Sequence, residues 1–138
     1  MASKNKKDWT DESAAAFVFW AQLCAAAHPT IHRREQATAT SAADLIAEIP
    51  RKFLIKGYEK VDAGELDAEK AFTLFREMHE KLQLKLIASM VAISMADNEI
   101  QTEEVDLLGV LMKEVENQEG LLTAAKIGLG FVNAGDLR

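Results

Sequence analysis

The sequence predicts an all-α fold: a compact bundle of about six to seven helices, built as two pseudo-symmetric helix–loop–helix repeats. Three observations carry this expectation. Apolar residues recur at three- and four-residue steps along most of the chain, no stretch alternates with the two-residue period of a strand, and one helix–loop–helix layout occurs twice. At 138 residues, with 49% hydrophobic and 28% charged side chains, the chain suits one globular domain with a single core. Residues 1–9 read as a flexible polar tail and residues 10–138 as the helical domain.

Thr10 is an N-cap candidate with Asp11 and Glu12 in the first turn, and a helix should run from it to about Ala27. Phe17, Val18, Trp20, Ala21, Leu23 and Cys24 make that helix apolar on most sides, the mark of a central element. Pro29 disfavours helical backbone at His28 and ends it. A second helix is predicted over Arg33–Glu48, where Ala39, Ala42, Ala43 and Ile46 form a thin stripe suited to close packing. Pro50 closes it and opens a third, shorter helix through Phe53, Leu54 and Tyr58.

Asp62-Ala63-Gly64-Glu65 is a turn, and Asp67 caps the next helix, whose apolar face is Ala71, Leu74, Phe75 and Met78. From about Lys81 few polar positions remain. Leu82, Leu84, Leu86, Ile87, Met90, Val91, Ile93 and Met95 therefore predict a second central helix. Asp97-Asn98-Glu99 is a loop signal and Thr102 an N-cap candidate for a helix burying Leu107, Leu108, Leu111, Met112 and Val115. The last segment, Leu121 to Phe131, reads as a helix although Gly128 and Gly130 would each cost about 1 kcal/mol in a helix interior.

With 22 acidic against 16 basic side chains the net charge is −6, which argues against nucleic acid and suits cations or basic partners. A single cysteine, Cys24, cannot close an internal disulfide, so a reducing, cytoplasmic setting is expected. Lys4, Lys6 and Lys7 imitate the start of a signal peptide, but Asp8, Asp11 and Glu12 interrupt any apolar region after them. The longest apolar stretch, Ala14 to Ala27, falls short of the ~20 residues of a spanning helix and contains Gln22.

The repeated layout comprises Ala25 to Glu35 (Ala-Ala-Ala-His-Pro-Thr-Ile-His-Arg-Arg-Glu) and Ser94 to Glu104 (Ser-Met-Ala-Asp-Asn-Glu-Ile-Gln-Thr-Glu-Glu). The spacing is constant, since 97 − 28, 100 − 31 and 104 − 35 all equal 69. Each stretch follows a strongly apolar helix and opens an amphipathic one. Within the second, Asp97, Glu99, Glu103 and Glu104 gather four carboxylates. A loop that reverses the chain can bring Asp97 and Glu104 together, and such oxygen ligands suit hard divalent cations. The pattern is not an EF-hand, because Thr102 stands where the sixth-position glycine belongs and Leu108 where the twelfth-position carboxylate belongs. The bland alternative is a solvated helix start, in which Glu103 and Glu104 simply complement the helix dipole.

Ala96 to Glu104, following an apolar helix, resembles the Asp-Gly-x-Ile-x-x-x-Glu motif of TerB-like tellurite-resistance proteins. The resemblance implies an all-helical fold with two such repeats, divalent-metal binding by the motif carboxylates, and a link to tellurite resistance and stress response. Carried over by position, it implicates Asp97 and Glu104, and Glu35 in the first repeat; Glu99, from the same acidic loop, is a candidate helper. The first repeat departs from the motif: His28 replaces the aspartate and Pro29 the glycine, and proline cannot copy a positive-φ turn. An imidazole from His28 would shift preference from calcium toward manganese or zinc. His28, His32 and Glu35 can also form a cluster of their own, against which Arg33 and Arg34 repel a cation.

Arg51, Lys52, Lys56 and Lys60 alternate with Phe53, Leu54, Ile55, Tyr58 and Val61, a basic amphipathic segment suited to an acidic partner or, peripherally, an anionic membrane surface. No nucleophile elbow, His-Glu-x-x-His helix or phosphate-binding glycine loop is present, and Cys24 reads as an inert buried thiol. The expectation is a non-enzymatic module that binds a divalent metal (calcium, manganese or zinc) or protein partners. The alternative is a structural adaptor without metal.

Overall fold

The computed structural model describes residues 8–25, 41–94 and 102–135, apart from the side chains of residues 25, 102–104 and 131–135. These residues form six helices and a further helical stretch over 41–45, and no strand occurs among them.

Helix α1 (Asp11–Ala25) starts from a reciprocal cap. The Thr10 hydroxyl accepts the Ser13 N–H at 3.1 Å, while the Ser13 hydroxyl accepts the Thr10 N–H at 2.8 Å. Ala14, Ala15, Ala16, Phe17, Val18, Trp20, Ala21 and Cys24 are buried, so α1 is enclosed on most sides; Leu23 stays exposed. Trp9 belongs to this core and not to a tail. Its indole N–H donates to the Ala47 carbonyl at 2.8 Å, and its ring meets Phe17 edge-on at 5.8 Å.

The 41–45 stretch ends before the expected Glu48, and the first part of that expected helix, through residue 40, lies outside the described residues. Glu48 takes a left-handed backbone, φ 57°, and the Ile49 N–H reaches back to the Ala43 carbonyl at 3.0 Å. The stretch thus closes through a left-handed residue, with glutamate where glycine is usual. Pro50 then caps α2 (Arg51–Asp62). A Cβ added to Gly57 would stand 2.9 Å from the Ala14 carbonyl carbon and 3.0 Å from the Ala15 nitrogen, so α2 crosses α1 backbone to backbone.

Gly64, at φ 74°, turns the chain, and the Asp67 side chain accepts the Lys70 N–H at 2.8 Å to cap α3 (Ala68–Glu77). Ala71 and Phe75 face inward, and the Trp20 indole N–H donates to the Ala71 carbonyl at 3.3 Å. Helix α4 (Glu80–Ser94) follows after a break at Met78 and His79. The His79 Nδ1 accepts the Lys81 N–H at 3.0 Å. Buried Gln83 donates to the Phe75 carbonyl at 2.7 Å, which also accepts the Met78 N–H at 3.1 Å where α3 ends. Leu82, Leu86, Ile87, Met90 and Ile93 make α4 the second central helix.

In α5 (Thr102–Met112) Thr102 is already helical, so the helix starts one residue earlier than a capping Thr102 predicts. Leu111 and, just after the helix, Val115 are buried, with Leu107, Leu108 and Met112 packed against them. Helix α6 (Gln118–Gly135) starts before the expected Leu121 because the Asn117 side chain accepts the Gly120 N–H at 2.8 Å. Gly128 is no weak point here. A Cβ on it would stand 2.5 Å from the Ala88 carbonyl oxygen and 2.8 Å from the Val91 Cβ, whereas Gly130 has open space around it. Helices α2 and α3 pack on α1, α5 and α6 pack on α4, and α1 packs on α4 to join the two groups.

Candidate functional site

The orientation of the two central helices decides which loops can meet. Near their starts, Thr10 and Ser13 share a cavity of about 40 Å³ with Met78 and Leu82. Near their ends, the Cys24 thiol and the Ser94 hydroxyl are hydrogen-bonded at 3.1 Å, and the thiol also points at the Met90 carbonyl at 3.6 Å. Start therefore lies by start and end by end: α1 and α4 run parallel. The chain leaves both helices at the same end of the bundle.

Cys24 and Ser94 are fully buried, in apolar surroundings where an unpaired polar atom would be costly. Each satisfies the other, and together they pin the two helix ends. Cys24 is the buried thiol its sequence context predicts. Ser94 was not legible as its partner, because a serine at the end of an apolar helix carries no signal of what it faces.

In sequence, the candidate ligands follow α1 and α4. His28, Glu35, Asp97 and Glu99 lie outside the described residues, as does His32. Glu104 lies in the first turn of α5, its side chain not among those described. Among the described residues, no group of three or more His, Cys, Asp or Glu is placed to hold a metal ion. The structure thus positions the helices that flank the two motif stretches, α1 before the first and α4 and α5 around the second.

The basic segment resolves into two faces of α2. Phe53, Leu54, Tyr58 and Val61 are half-buried, Phe53 and Leu54 against the core, so most of the apolar side is already covered. Arg51, Lys52, Ile55 and Lys56 are exposed. The Lys52 ammonium sits 5.0 Å from the Phe53 ring, and Lys56 lies 3.6 Å from the Glu59 carboxylate. Among the described residues, no helix is long and apolar enough to cross a membrane. Comparisons with protein-family models, curated proteins and solved structures gave no match.

Proposed function

We propose that the protein is a TerB-like, non-enzymatic binding module that holds a divalent cation at the end of the bundle where α1 and α4 finish, and works with protein partners in a cytoplasmic stress response. The observation that carries this reading is the parallel pairing of the central helices, fastened by Cys24 and Ser94. Antiparallel packing would send the two motif stretches to opposite ends of the bundle. Parallel packing starts both from one place. The helix starts add support: Asp11 and Glu80 lie 69 residues apart, the spacing of the motifs themselves.

In this reading Asp97 and Glu104 are the main ligands, Glu99 assists, and His28 and Glu35 contribute from the first stretch. Such a mixed oxygen and nitrogen set favours manganese or zinc, whereas carboxylates alone favour calcium. Titration calorimetry with each of the three ions tests it. Binding that disappears in the Asp97→Ala/Glu104→Ala double variant is expected. Absence of heat with all three ions, or binding indifferent to the double substitution, rejects the site.

One observation favours a second reading, an adaptor without metal: the exposed face of α2 sets Ile55 among Arg51, Lys52 and Lys56. Sedimentation with anionic lipid vesicles, compared with the Lys52→Glu/Lys56→Glu variant, tests that face directly. Pelleting of the parent but not of the variant is its expected signature.

A further inference from the structure

Helix α6 buries Leu121, Ala124 and Gly128 against α4 and turns a second stripe outward. Glu119, Leu122, Lys126 and Leu129 follow one another at steps of three, four and three residues, so they share one face. All four are exposed, Leu122 at 62% and Leu129 at 42%. Neither Glu119 nor Lys126 has an ion pair or a side-chain hydrogen bond among the described residues. Two opposite, unsatisfied charges thus flank an exposed leucine, separated by about 10 Å along the helix axis.

We propose that this face binds the same face of a second copy of the chain, with the two α6 helices antiparallel about a twofold axis level with the step from Leu122 to Thr123. A closed twofold contact requires a surface complementary to itself. In the antiparallel arrangement each Glu119 lies level with Lys126 of the other copy, and the two Leu122 side chains meet across the axis. Parallel packing would set Glu119 against Glu119 and Lys126 against Lys126, so the charges select the direction. A single helix pair buries well below the roughly 800 Å² per partner of a standard interface, so the dimer is weak and concentration-dependent. The proposal is independent of the cation site, which lies on other elements.

Sedimentation equilibrium from micromolar to millimolar protein tests it. The expected result is a reversible monomer–dimer equilibrium that Leu122→Glu abolishes. Glu119→Lys and Lys126→Glu should each weaken the dimer by about fivefold, the scale of exposed ion pairs. The Glu119→Lys/Lys126→Glu double variant should restore it. A monomer at every concentration, a dimer indifferent to Leu122→Glu, or a double variant no tighter than the single ones overturns the proposal. Circular dichroism on each variant confirms that helix content is kept; should Leu122→Glu lose it, Leu122→Gln supplies the same reading.

Discussion

In the first half of the chain α2 lays Gly57 across Ala14 and Ala15, close to the start of α1. In the second half α6 lays Gly128 across Ala88 and Val91, beyond the middle of α4. Both crossings bring two helices so close that no side chain fits between them. They differ in level: the second lies more than a turn further along its central helix than the first. The two central helices start 69 residues apart, while the helices that cover them cross at different levels. Backbone contact through a glycine tolerates such a difference, because it needs only one small residue at the crossing and no interlocking side chains.

The largest expected effect comes from closing the tighter crossing. Gly128→Ala drives a methyl group into the Ala88 carbonyl; even after the gain in helix propensity it should cost about 2–3 kcal/mol, read from the urea midpoint by circular dichroism. Gly57→Ala, with its nearest atom at 2.9 Å, should cost about 1–2 kcal/mol in the same assay. Equal losses would mean that both crossings relax alike. Trp9→Phe removes the hydrogen bond that ties the segment before α1 to Ala47 and should cost about 1 kcal/mol.

Two substitutions should move stability the other way. Gly130→Ala, two residues beyond the tight contact but in open space, should stabilise by up to about 1 kcal/mol through helix propensity alone. A loss there would place α6 closer to a neighbour than the Gly128 contact allows. The smallest effect belongs to Glu48→Gly. It relieves the left-handed backbone but gives up the exposed ion pair with Lys85 at 3.0 Å, for a net gain of about 0.5 kcal/mol.

Much of the fold was legible from local chemistry. The caps at Thr10, Pro50 and Asp67, the turn at Gly64 and the apolar faces of α3 and α5 follow from residue types at fixed offsets, which act over a few residues wherever they occur. Asn117 could have been found the same way, as a capping residue three positions before Gly120. Trp9 could not: its anchoring partner is Ala47, 38 residues away. The candidate ligands Asp97, Glu99, Glu104, His28 and Glu35 were nominated by charge, spacing and resemblance. Their sequence neighbourhood could not say whether the two stretches share an end of the molecule.

The amino-acid pattern by itself determined the helices, their buried faces and the equal spacing of the two central ones, because hydrophobic period and capping are local properties. Only the tertiary structure decided that α1 and α4 run parallel, that Cys24 meets Ser94, and that Gly128 is a contact while Gly130 is not. A helix carries the same apolar stripe whichever way its neighbour points, so direction and closeness of approach are set by the whole set of packed surfaces together.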